Sequence, residues 1–268
     1  MPPTTPQASQ VVPAELKPWM LNFFNARVLG PMVRRAWHAV RLAADTGDQP
    51  LRDLAAHKGP AIVAMNHHSW WDPMLGLWLS GKYLPGRPCY APMERAQLAK
   101  FAILKKLGIF GVDPDDPATL PLMSAYLGQL WARDRSAVLW ITPQGQFADP
   151  RAPIHLRPGA AAVAASLPTP PLVVSLTTEM VFWTDKRPEL LIRAAAVAAP
   201  LSPSTPSWHR ALTRAMQANA DALRDLAITR DPGRFIVIGG GGAARTNIFY
   251  DAWLTLRGRG NRITPTPR

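Results

Sequence analysis

Two residues in the stretch Asn66-His67-His68-Ser69-Trp70-Trp71-Asp72-Pro73 have types and spacing suited to chemistry. His67 can take up a proton near neutral pH, because imidazole titrates there. Asp72, five positions on, can accept a hydrogen bond from the other ring nitrogen, which fixes the tautomer and stabilises the imidazolium once it forms. Such a pair is a general base, and a general base needs a hydroxyl or water to deprotonate. A plainer role competes with this one. Asp72 before Pro73 also has the makings of a helix N-cap, and Ser69 with Asp72 could form a capping box.

The elements around the pair favour a site at a strand-to-helix turn. Ala61–Met65 is an unbroken apolar run of strand length, and a helix is expected from Pro73 to Ser80. Further strands are expected at Ala137–Ile141, Leu190–Val197 and Phe235–Ile238, with helices over Glu94–Leu107, Pro117–Arg133 and Ser207–Ala227, the last starting at Ser204 or Ser207. This alternation predicts an α/β fold with a central, mostly parallel or mixed sheet flanked by helices. Gly239-Gly240-Gly241-Gly242 follows a strand, but too little chain remains for a dinucleotide-binding unit, so a turn is expected there. Ahead of the domain, 1–13 reads as a disordered tail rich in Pro, Thr and Gln. Residues 14–45 read as two amphipathic helices broken near Gly30-Pro31, with Trp19, Phe23, Phe24 and Trp37 among their apolar positions and Lys17, Arg27, Arg34, Arg35 and Arg41 interspersed. The domain proper is expected over 46–268, including a C-terminal extension.

The motif string resembles the first block of the glycerolipid acyltransferases, the family of 1-acylglycerol-3-phosphate O-acyltransferase, in which Asn-His-x-Ser-x-x-Asp precedes a proline or apolar residue. Asn66, His67, Ser69, Asp72 and Pro73 all match it. The later blocks follow in family order. Gly108-Ile109-Phe110-Gly111-Val112-Asp113 resembles the second, Thr142-Pro143-Gln144-Gly145 the third, Arg157-Pro158-Gly159-Ala160-Ala161 a basic helix start, and Pro170–Val174 the last proline-marked strand. The resemblance spans about 60–178 and implies O-acyl transfer in phospholipid-type lipid metabolism. By this resemblance His67 and Asp72 would be catalytic, while Asn66, Ser69, Gln144 and Gly145 would serve substrate binding. The acyl thioester donor, acyl-CoA or acyl carrier protein, would be a co-substrate, with no bound cofactor and no metal. Amides around Gly145 would stabilise the oxyanion.

Several positions depart from the family pattern. Pro114 stands where the second block has arginine, Gln144 replaces a glutamate, and Gln146-Phe147 replaces Thr-Arg. The family's arginines are thought to hold the acceptor's phosphate, a task suited to a planar guanidinium fork. Arg151 and Arg157, just downstream, are the candidates to replace them, against the plainer reading of each as a solvated surface arginine. The acceptor is accordingly either a lysophospholipid or a lipid with an uncharged or sugar-bearing head. A thioesterase on the same scaffold, or a catalytically weak lipid-binding relative, are the rival readings.

Composition narrows the remaining choices. The chain has 268 residues, 47% of them hydrophobic, enough for one α/β domain with an appended segment. Cys89 is the only cysteine, which excludes an intrachain disulfide and suits a reducing compartment. Adjacent His67 and His68 lack further residues at zinc-ligand spacing. The net charge of +12 calls for an anionic partner. No recognition helix, finger or RNA-binding sheet motif supports nucleic acid. An anionic membrane surface fits the aromatic and arginine-bearing N-terminal segment better. The expected location is cytoplasmic, peripheral on the inner face of the membrane, since no run approaches the ~20 apolar residues needed to span a bilayer and no signal-peptide core is present.

Overall fold

The computed structural model describes residues 10–183, 185–242 and 257. In chain order the elements are α1 (Pro18–Phe24), a π-helical turn (Asn25–Leu29), α2 (Gly30–Ala36), β1 (Val40–Ala43), α3 (Gln49–Ala56), β2 (Ala61–Met65), α4 (Asp72–Tyr83), β3 (Cys89–Glu94) and α5 (Arg95–Lys100). A 3-10 helix (Ala102–Leu107) leads on to β4 (Ile109–Val112), α6 (Thr119–Arg133), β5 (Val138–Ile141), α7 (Gly159–Ser166), β6 (Leu172–Val181), β7 (Glu189–Val197), α8 (Thr205–Thr229) and β8 (Phe235–Gly239). The eight strands form one mixed sheet in the order β4-β3-β5-β2-β6-β7-β1-β8. The five from β4 to β6 run parallel, β7 and β1 run the opposite way, and β8 is antiparallel to β1.

Both faces of the sheet are covered, which explains why β2 is apolar throughout rather than alternating. On one side Trp131 of α6, Val163 of α7, and Trp208 and Leu212 of α8 pack on Ile62, Leu139 and Val173. On the other, Val33 and Trp37 join Leu51 and Leu54 of α3 and Leu75 and Leu79 of α4 over Val63, Val138 and Val174. Each large side chain fully buried in these layers contributes about 1.5–3 kcal/mol. The apolar positions of α8, among them Trp208, Leu212, Met216, Leu223 and Ala227, keep one helical stripe inward. Its start is a capping box: Ser204 accepts from the Ser207 amide at 3.2 Å and the Ser207 hydroxyl accepts from the Ser204 amide at 2.8 Å.

Four expectations are corrected. First, residues 14–45 are not two helices with a break. The helix is continuous from Pro18 to Ala36, because a π turn carries the Gly30 amide back to Asn25 O and so accommodates the missing donor of Pro31. Second, residues 40–43 are a strand inside the sheet, paired parallel with β7 and antiparallel with β8, so the core begins before residue 46. Third, part of the 1–13 tail is ordered: Val12 exchanges both backbone hydrogen bonds with Gly111 on the outer edge of β4, at 2.9 and 2.8 Å. Residues 1–9 lie outside the described residues. Fourth, Glu94–Leu107 is not one helix. Leu98 and Leu107 are both buried, yet nine residues apart they would face opposite sides of a straight α-helix. The backbone turns at Phe101 (φ −125°, ψ 54°) so that both face inward.

The glycine run closes against the N-terminal segment. Gly241 and Gly242 donate to the carbonyls of Trp37 and His38, and a Cβ on Gly241 would sit 1.9 Å from Arg34 O. Most of the C-terminal extension beyond it lies outside the described residues.

Candidate active site

The site lies past the carboxyl ends of β2, β5 and β6, where open parallel sheets gather ligands. At the end of β2, Asn66 is committed to the neighbouring strand. Its Nδ2 donates to Thr178 O at 2.9 Å, and its Oδ1 accepts from the Thr178 amide at 2.9 Å. Buried and paired in both directions, Asn66 anchors the turn from which the next residue projects.

His67 Nδ1 lies 2.8 Å from Asp72 Oδ2. The same oxygen accepts the backbone amides of His68 and Ser69 at 2.8 and 2.9 Å. Asp72 is the first residue of α4 and Trp71, its N-cap, makes no side-chain cap bond; of the capping box weighed from the sequence, the bond from the Ser69 amide to the Asp72 carboxylate is present. The carboxylate turns back into the loop, and the Ser69 hydroxyl accepts the Trp71 amide at 3.1 Å. Burial pushes the fully enclosed Asp72 carboxyl upward, but hydrogen bonds from His67, from His68 and from the Ser69 amide outweigh that cost and hold it below its ordinary value. An ionised carboxylate at Nδ1 assigns the imidazole proton to that nitrogen and leaves Nε2 as the basic atom.

The third sequence block covers the other side of His67. Gln144 Oε1 accepts the His67 amide at 2.7 Å, and the Ala148 amide donates to His67 O at 2.8 Å. Gly145 adopts φ +68°, and a Cβ there would meet Arg157 Cδ at 2.6 Å. Its amide is turned inward to Thr142 O at 3.1 Å, whereas those of Gln146 and Phe147 meet no protein acceptor among the described residues. The Phe147 ring lies 4.3 Å from the His67 ring, centroid to centroid.

Both candidate arginines already have carboxylate partners. Arg151 Nε donates to Glu179 Oε1 on β6 at 2.8 Å. Arg157 donates to Asp115 Oδ1 and to Pro114 O, each at 2.9 Å, tying the second block to the third. The structure thus gathers His67, Asp72, Ser69, Gln144 and Gly145 into one loop cluster, sets Asn66 beneath it, and places Arg151 and Arg157 on opposite flanks. Sequence reasoning missed Phe147 as a neighbour of His67, and Thr178 and Glu179 as its support on β6. A carboxylate inside the buried run Leu172–Val181 was a readable signal that a cation must meet it.

A family model described as Acyltransferase matches residues 45–177, which contain every element of the cluster. The chain belongs to the acyltransferase family. No curated protein matches it. Among solved structures it is similar to the 1-acyl-sn-glycerophosphate (LPA) acyltransferase PlsC from Thermotoga maritima, at 12% identity, with a TM-score of 0.49 and coverage of 77% of this chain and 80% of that one. Among the described residues, no helix of this acyltransferase is long and apolar enough to cross a membrane.

Proposed function

We propose that this acyltransferase moves a fatty acyl group from an acyl thioester, acyl-CoA or acyl carrier protein, to a hydroxyl of a membrane lipid. The observation that carries the reading is the 2.8 Å contact between His67 Nδ1 and the buried Asp72 carboxylate. In the reaction, His67 Nε2 removes the acceptor's hydroxyl proton while that oxygen attacks the thioester carbonyl. Asp72 stabilises the imidazolium, and the Gln146 and Phe147 amides are the donors available to the oxyanion. Collapse breaks the carbon–sulfur bond, and the thiolate recovers the proton from His67. The ester and the free thiol balance the alcohol and the thioester, with no acyl-enzyme. A site that protects the thioester from water while admitting an alcohol performs transfer. Purified protein incubated with acyl thioester, with and without lipid extract, tests this. Thiol release that requires the lipid supports transfer, and equal release without it makes the protein a thioesterase.

The acceptor is delivered at a membrane interface. Helix α1 packs against the 3-10 segment after α5, and these segments with Phe101 between them expose Trp19, Phe23, Phe101 and Ile103. Lys17, Lys100 and Lys106 lie alongside in sequence. Aromatic side chains beside lysines suit a surface lying in the headgroup layer of an anionic leaflet.

A further inference from the structure

The two adjacent imidazoles of the catalytic loop are not equivalent. His67 keeps 19% of its side chain exposed and can meet an acceptor, whereas His68 is 5% exposed and its Nε2 is enclosed. His68 is therefore no second base. Its other nitrogen, Nδ1, lies 3.3 Å from Thr178 Oγ1 and 3.3 Å from Asp72 Oδ1.

The neighbours of that nitrogen decide whether it carries a proton. Asn66 Oδ1 can only accept and lies 3.2 Å from Thr178 Oγ1, so it takes the one hydroxyl proton of Thr178. A bare Nδ1 would then set its lone pair against those of Thr178 Oγ1 and of a carboxylate oxygen. Nδ1 therefore bears hydrogen, in the neutral ring and in the charged ring alike.

The two oxygens of Asp72 are held unequally. Oδ2 meets His67 Nδ1 and accepts the amides of His68 and Ser69. Oδ1 has no well-aligned donor among the described residues, and the N–H edge of His68 is what stands against it. The last torsion of an aspartate is broad, so a carboxylate gripped at one oxygen can still rock about it. His68 is braced by Thr178, and Thr178 by Asn66, so its ring is fixed to the join between β2 and β6. A rocking carboxylate would carry the His67 ring with it, and Nε2 lies at the far side of that ring, where an angular error moves it most.

We propose that His68 is a positioning residue for acyl transfer: its Nδ1–H steadies the second oxygen of Asp72 and so aims His67 Nε2 at the acceptor hydroxyl. The proposal rests on the acyl-transfer reading above, with His67 as the base. One carboxylate serves two imidazoles, the exposed one for proton transfer and the enclosed one for alignment.

The experiment compares His68→Asn with His68→Leu in the full chain, with acyl-CoA and lipid extract. Asparagine keeps an N–H one bond beyond Cγ, where the imidazole has Nδ1, but fills less space; leucine fills the space without a donor. His68→Leu should lower kcat about tenfold with KM for acyl-CoA within about twofold, while His68→Asn should keep at least about a third of wild-type kcat. A packing role would rank them the other way. In an Asp72→Asn background, His68→Leu (or His68→Ala, should leucine prevent folding) should change the residual rate less than about twofold, because the group it acts through is gone. Leucine matching or exceeding asparagine, or a full tenfold loss in the Asp72→Asn background, overturns the role of His68 and leaves His67 as base. Near-wild-type transfer by His67→Ala instead overturns the reading on which the proposal rests.

Discussion

At the scale of single residues, the site is a balance between burial and hydrogen bonding around one carboxylate. Removing the imidazole by His67→Ala should lower acyl transfer by about 10²–10⁴, the usual contribution of a positioned base, as steady-state thiol release will show. Asp72→Asn should be comparably severe, because an amide cannot stabilise the imidazolium and can hold the wrong tautomer. The same carboxylate links activity to acid stability. Its folded pKa is depressed, so its contribution is fully present above the unfolded value of about 3.9 and is lost as pH falls through the lower folded value. Urea unfolding from about pH 6 down to pH 2 should show the wild type losing stability in that window. Asp72→Asn should start lower and lose less; parallel curves would mean that Asp72 gains nothing from folding. Phe147 adds a residue-scale contrast. Where the family pattern has arginine, this chain sets an aromatic ring against His67, which gives the imidazole an apolar neighbour.

At the scale of elements, the join between β2 and β6 governs where His67 sits. Asn66→Ala would strand the Thr178 amide without a partner in the core, at a cost of about 1–3 kcal/mol. Denaturant midpoints should fall accordingly, and kcat should fall further than the loss of folded protein explains. Ser204→Ala, which removes the cap of α8 far from the chemistry, should cost about 1 kcal/mol and leave kcat unchanged. What the sequence made legible follows the same physics. Strands β2 and β5 read correctly because both of their faces are buried, leaving unbroken apolar runs, and α8 because its stripe and its serine cap agree. Strand β1 did not, because Trp37 and Val40 continue a helical spacing and only residues near 190 and 237 make that segment a strand. The pairing of Arg151 with Glu179 and of Arg157 with Asp115 joins residues 28 and 42 positions apart, which no local pattern encodes.

At the scale of the whole molecule, the proposed membrane contact combines positive charge with exposed aromatics. Binding to anionic vesicles should exceed binding to neutral ones, and the gap should shrink with salt as the screening length falls to about 10 Å at 0.1 M. Trp19→Ser with Phe23→Ser should weaken vesicle binding in a sedimentation assay while leaving the melting transition in place, since both side chains point outward. Deleting residues 1–45 is not an equivalent test, because it also removes β1 and leaves β7 and β8 without the strand between them. That interior place of β1 has a consequence for how the molecule is made. Its partner Leu190 is about 150 residues downstream of Val40, so at a synthesis rate of about 5–20 residues per second the strand waits about 8–30 seconds for it on the ribosome. During that time Val40, Leu42 and Ala43 form a bare apolar edge, open to holding chaperones or to a neighbouring nascent chain. Yield in the cell should therefore respond to translation speed and chaperone supply more than the stability of the finished fold would suggest.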